Sequence, residues 1–231
     1  MGINAMSLVV FSALNLLVHG LGRCREERAK GLLKVLWIVL LFGNLIRYVF
    51  VYPVIVGEVH IPIEYSTVAY FLVPAMMLWN KKGHVVWPAL YGLIAGLLYF
   101  LTMIAAANRL YADTPPYDVY ISYFCHGTLY VNGLLVLRKN RVSDRDRAKT
   151  MLCLLIVSVR SLLLKKYAID ADELFIYDVL LGNVIRMVLP KSSWGFTVPL
   201  YYVALNALIL LTLRGFLPEK RRKKTKNQPK T

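Results

Sequence analysis

Acidic residues are scarce in this chain, 13 Asp and Glu against 28 Lys and Arg, and histidine and cysteine are scarcer still, at four and three. Cys24, Cys125 and Cys153 stand without CxxC or any other metal-ligand spacing, so neither a disulfide framework nor a zinc site follows. The histidines are not paired at ligand spacing, and no second well-placed histidine accompanies His126 as a haem ligand. A Walker loop, a HExxH helix, a GxSxG elbow and a Rossmann fingerprint are all missing, which leaves ATP-driven and metalloprotease readings without support. No cofactor and no metal is therefore expected. There is no internal repeat of the kind that marks many secondary transporters. No basic region precedes the first apolar stretch, as a cleaved signal peptide would require, and Arg23 stands where lipidation at Cys24 would need a small residue.

What the chain has in abundance is apolar surface: 58% of its 231 residues are hydrophobic and its mean hydropathy is +0.53. Lipid is the solvent that suits such a composition. A bilayer core of about 30 Å is crossed by a helix of roughly 20 apolar residues with every backbone group satisfied internally. Such stretches lie at about 5–21, 32–54, 62–79, 85–107, 119–137, 151–164 and 196–213. The expected fold is all-α, a polytopic transmembrane helical bundle of about seven spans occupying 1–218, followed by a basic cytoplasmic tail at 219–231 that is expected to be disordered. The sixth stretch is short and is expected to extend into both flanks, with its lysines reaching toward headgroups.

The net charge of +15 is a topology signal once its position is considered. The loops after the first, third and fifth stretches, together with the tail, hold 21 of the 28 basic residues and only five acids. By the positive-inside rule these parts are cytoplasmic, the N-terminus lies outside the cytoplasm, and the protein is a multi-pass protein of the cell membrane. The expected partners are membrane lipids, with anionic headgroups at the basic loops and tail, each basic residue near the surface contributing about 1 kcal/mol. Nucleic acid is not needed to explain the charge. Between 174 and 189, Asp178, Gly182 and Arg186 recur on one helical face while Leu174, Tyr177, Leu181, Ile185 and Val188 fill the other, which predicts an amphipathic interfacial or re-entrant helix lidding the outer face. Tyrosines 52, 111, 117, 120, 201 and 202 fall near the outer boundary and Trp37, Trp79 and Trp87 near the inner one, as interfacial belts do.

Ionisable groups within apolar spans are costly and mark candidate sites. Arg47, Glu64, His126 and Arg160 all fall in outer halves of their stretches, with Asn44, Tyr48, Thr67, Ser122, Tyr130 and Ser161 beside them and a further polar stripe at Tyr202 and Asn206. Together they predict a polar cavity open to the exterior. Arg47 and Glu64 lie on consecutive spans and are expected to approach closely enough to pair; the plainer reading is that they only stitch those spans together. His126 can act as base, proton shuttle or ligand, or be a buried histidine bonded between helices. Arg160 can hold a phosphate or simply cap or snorkel.

The segment Ile61-Pro62-Ile63-Glu64-Tyr65-Ser66-Thr67-Val68-Ala69-Tyr70-Phe71-Leu72-Val73-Pro74, followed by the isolated histidine of His126-Gly127 and by the tryptophan, proline and tyrosine within 194–201, resembles the YwaF-like family of bacterial integral membrane proteins. The resemblance covers most of the chain as an order of spans. It implies phospholipid acyl transfer of the kind that eukaryotic relatives perform with a cysteine and a histidine, and it assigns those roles to Ser66 and His126. Ser66 stands where the family has cysteine, and a serine depends more on a general base; its plainer role is packing between helices. Three functions follow as expectations. One is a lipid acyltransferase or esterase, with Ser66 as nucleophile, His126 as base and Arg47, Glu64 and Arg160 as binding residues. The second is a small-solute or proton-coupled transporter, although the inner halves of the spans are almost wholly apolar. The third is a non-catalytic lipid-binding or scaffold membrane protein.

Overall fold

An apolar run can satisfy its backbone donors without water only by coiling on itself, and the structure follows that rule. The computed structural model describes residues 2–23, 26–57, 65–80, 86–110, 115–168 and Ala207, and among them every regular element is helical. The helices are α1 (Ile3–Arg23), α2 (Glu26–Ile46), α3 (Tyr65–Trp79), α4 (Val86–Leu110), α5 (Pro116–Lys139) and α6 (Asp144–Ala168). They correspond in order to the first six apolar stretches. The seventh stretch apart from Ala207, the amphipathic segment at 174–189, the basic tail and Glu64 lie outside the described residues.

Three segments, Ile3–Arg23, Lys30–Ile55 and Val86–Ala105, are long and apolar enough to cross a membrane, a composition compatible with a membrane location. The shorter apolar α3 has 15 residues, or about 22 Å at 1.5 Å per residue. α5 and α6 are longer, at 24 and 25 residues, but histidine, asparagine and small polar residues interrupt the first and Arg160, Lys165 and Lys166 the second. α6 also begins seven residues before the apolar stretch in it. Ser143 caps its first turn: the Asp146 amide donates to Ser143 Oγ at 3.2 Å and the Ser143 amide to Asp146 Oδ2 at 3.1 Å, a reciprocal capping box.

Asn4 of α1 meets Asn108 of α4, and Arg47 at the end of α2 meets Asp118 at the start of α5, so the starts of α1 and α5 share one end of the bundle, called upper here, with the ends of α2 and α4. α4 is the hub, packing against α1, α3, α5 and α6. Of its apolar stretch 72% is buried, against 11% and 17% for those of α1 and α2, so the latter two turn their apolar side chains outward. Leu16 and Val49, at 73% and 70% exposure, belong to that outward surface, which suits acyl chains better than water. α4 and α5 approach through glycines. A Cβ on Gly96 would stand 2.6 Å from the His126 carbonyl oxygen, and one on Gly133 the same distance from that of Ala89. This is the small-residue contact by which helices in lipid gain close packing.

α2 passes without a break into a π-helix, Arg47–Val56, with Pro53 inside it. Proline has no amide proton to give, and the wider π turn re-registers the bonds around that gap. The segment ends at Gly57, whose φ of 80° is the left-handed conformation that glycine takes without strain, and whose amide donates to the Tyr52 carbonyl five residues back.

Candidate functional site

His126 lies ten residues into α5, about 15 Å along the helix from its upper start, and is 3% exposed. Gly96 of α4 lets the α5 backbone come close at this level, and the imidazole fills the space between α3 and α4. Its Nδ1 is 2.9 Å from the Ser122 carbonyl oxygen, one turn back on α5. The Tyr70 hydroxyl of α3 is 2.9 Å from Nδ1 and 3.0 Å from Nε2. A carbonyl can only accept, so in the neutral ring the proton is assigned to Nδ1, donating to Ser122; Nε2 is then the acceptor that Tyr70 Oη–H serves. Tyr99 of α4 stacks on the imidazole with centroids 3.6 Å apart and planes 6° apart, while Tyr70 meets it edge-on. The ring is thereby fixed in position and in tautomer.

Ser66 is also on α3, four residues before Tyr70, and thus on the same helix face about one turn nearer the start of that helix, where Tyr65 is bonded to Tyr91 of α4. His126 is bonded to α3 through the Tyr70 hydroxyl. Arg160 is on α6, which packs on α3 and α4, and is partly exposed.

Arg47 does not have Glu64 for its described partner. Its Nη2 donates to Asp118 Oδ1 at 2.7 Å, linking the top of α2 to the first turn of α5, with the two side chains 16% and 24% exposed. The guanidinium also lies over the Tyr52 ring, 4.9 Å from its centroid. In an α-helix residues five apart diverge around the axis; in a π-helix, whose bonds join i to i+5, they come nearly into line, so the wide segment is what seats Tyr52 beneath Arg47. Tyr48 completes the wall, edge-on to Tyr52 and to Phe71 of α3.

Below that pair, Asn44 Nδ2 donates to the Leu40 carbonyl and lies 3.5 Å from Cys125 Sγ. On the other side of α5, Ser7 Oγ and Tyr123 Oη are 2.6 Å apart, and the Tyr130 hydroxyl donates to Asn15 Oδ1. Among the described residues, no group of three His, Cys, Asp or Glu stands ready to hold a metal ion.

Two expected site residues thus fall in the upper half of the described bundle, Arg47 near its end and His126 deeper, in two separate clusters; Ser66 lies on the helix that reaches His126 through Tyr70. Sequence reading missed Tyr70, Tyr99 and Asp118. Tyr70 and Tyr99 sit in apolar runs and are indistinguishable there from core aromatics. Asp118 carried a usable signal, an acid in the first turn of a helix at the same depth as Arg47, but its place in a loop-flanking sequence hid it.

Comparison of the chain with protein-family models, with curated proteins and with solved structures finds no match.

Proposed function

We propose that this chain is a multi-pass membrane protein, its N-terminus outside and its C-terminus cytoplasmic, that performs acyl transfer or ester hydrolysis on lipids at a histidine-centred site in its outer half. The observation that carries the reading is the fixed imidazole: Ser122 holds the Nδ1 proton, and the acceptor Nε2 is bonded to α3, the helix that also carries Ser66. That is the logic of a base oriented by a third group. When the Tyr70 hydroxyl yields Nε2, His126 takes the proton of Ser66 as its Oγ attacks an ester carbonyl. The departing alcohol receives that proton, and an acceptor alcohol or water then releases the acyl group by the same path. The apolar outer surface of α1 and α2 gives a lipid substrate its approach, and the basic lower end, with Arg23, Lys30, Lys34, Arg138 and Lys139 all exposed, agrees with a cytoplasmic placement. The resemblance to the YwaF-like family supports the same pairing of roles.

One observation favours a second reading, a lipid-binding or scaffold protein without chemistry. At 3% exposure and stacked on Tyr99, His126 is as well packed as a core residue. Lipid turnover by the purified chain in mixed vesicles, followed by mass spectrometry, separates the two. Under the catalytic reading Ser66→Ala and His126→Ala each abolish turnover while the proteins stay folded. Equal turnover in Ser66→Ala, or none in the native chain over any lipid ester tried, supports the second.

A further inference from the structure

At the lower end of the bundle, α1 and α5 meet at Arg138. Its Nη1 donates to the Val18 carbonyl oxygen of α1 at 3.4 Å. The guanidinium gets there by lying over Gly22: a Cβ on that glycine would stand 3.5 Å from Nη1 and meet nothing else within 4 Å. Arg138 is thus seated against the last turn of α1, where the partial negative charge of a helix end favours a cation. Among the described residues no other acceptor takes a hydrogen bond from it and no acid pairs with it, so most donors of an exposed guanidinium are left unengaged. Arg23 follows Gly22, and His19 is one turn before Arg23 on the same face of α1. Both are exposed, and neither has an acidic partner among the described residues. That face continues upward through Leu16 and Val9, at 73% and 57% exposure.

From this we infer that the lower seam of α1 and α5 is a site for an anionic phospholipid of the inner leaflet. The phosphate accepts from the unengaged N–H groups of Arg138 and from Arg23, and an acyl chain runs up α1 over Leu16 and Val9. The charges decide the class. A headgroup whose one charge is its phosphate meets only cations here, whereas a phosphate tied to an ammonium brings a further cation against two arginines. Gly22 separates this seam from the rest of the basic end, because it lets the Arg138 head rest on the helix backbone, oriented before any lipid arrives. An acidic protein segment would match the charge but not the position: Arg23 and His19 stand where the apolar run of α1 ends, and Leu16 above them is bare. The inference rests on the membrane placement proposed above. The excess of basic residues in the loops predicts only a diffuse attraction to headgroups, and the seam goes beyond it by naming where one lipid is held.

The test is native mass spectrometry of the full chain released from detergent, titrated in parallel with phosphatidylglycerol and phosphatidylcholine of the same acyl chains and with soluble glycerophosphoglycerol. A preference of about tenfold for phosphatidylglycerol over phosphatidylcholine is expected. It should be lost in an Arg23→Gln/Arg138→Gln double variant and kept in Arg141→Gln/Arg145→Gln, which removes the same charge from exposed positions beyond α5. Gly22→Leu keeps every charge but fills the space under Arg138, and should cut the preference to about threefold or less. Equal binding of the two lipids by the native chain overturns the proposal. So does an equal loss in both double variants, which is what diffuse attraction gives, or an unchanged preference in Gly22→Leu. Should the Arg23/Arg138 variant fail to fold, Gly22→Leu and the native preference decide. Binding of glycerophosphoglycerol as tight as that of the intact lipid would overturn the membrane source. Labelling of Lys139→Cys from outside, in a cysteine-free variant, would instead overturn the topology, a result independent of any preference measured in detergent.

Discussion

Gly96→Ala is the substitution whose effect the structure fixes most closely. The added Cβ would lie 2.6 Å from the His126 carbonyl oxygen and 2.8 Å from both the amide nitrogen and Cβ of Tyr130. Ordinary contact starts at 3.4 Å, so the helices must part locally by about 0.8 Å, and none of the three atoms is the end of a flexible side chain. Overpacking of this kind costs about 1–3 kcal/mol. Alanine returns about 1 kcal/mol through its better helix propensity, leaving a net loss of up to about 2 kcal/mol. Gly31 and Gly43 are the controls. A Cβ on either meets nothing within 4 Å, so Gly31→Ala and Gly43→Ala should be neutral or gain stability. Reversible unfolding in mixed micelles, titrated with denaturing detergent, measures the differences. If Gly96→Ala unfolds at the same midpoint as Gly43→Ala, the close contact of α4 with α5 at His126 does not exist, and the argument that this seam positions the imidazole fails with it.

In a cysteine-free variant, cysteines placed at Tyr117 and at Asn227 should label from opposite sides of the membrane; labelling of both from outside would reject the proposed topology. A double-mutant cycle on Arg47 and Asp118, each replaced by its neutral isostere, should give a coupling energy of about 1 kcal/mol, moderated because both groups touch solvent; additive effects would mean that the two never meet. Tyr70→Phe removes the hydroxyl that serves Nε2 of a buried imidazole, so it should destabilise the fold by about 1–3 kcal/mol, read in the same micelle titration. Stability equal to that of the native chain would place the Nε2 acceptor elsewhere. If His126 is the base, the same variant should raise rather than abolish turnover, because Tyr70 competes with Ser66 for it.

The order and positions of the six described helices were legible in the sequence because each apolar run must satisfy its own backbone, and that requirement is local. So was the sorting of charge to one end. The early start of α6 was legible too, in Ser143 and Asp146, since a capping box spans only four residues. Candidate polar positions followed from the cost of placing Arg47 or His126 in an apolar run. Their partners did not. Arg47 was expected to pair with Glu64, one short loop away in the sequence and outside the described residues; its bond to Asp118 depends on how α2 and α5 are laid together, 71 residues apart. Likewise no periodicity tells that Tyr70 and Tyr99, on two different helices, close on one imidazole, or that Gly96 and Gly133 rather than Gly31 and Gly43 mark the tightest seam. Each helix was determined by the chain's own composition, because hydrogen bonding within a helix reaches only four or five residues. Which faces meet was decided by packing between helices, where a tenth of a nanometre chooses the partner and nothing local records it.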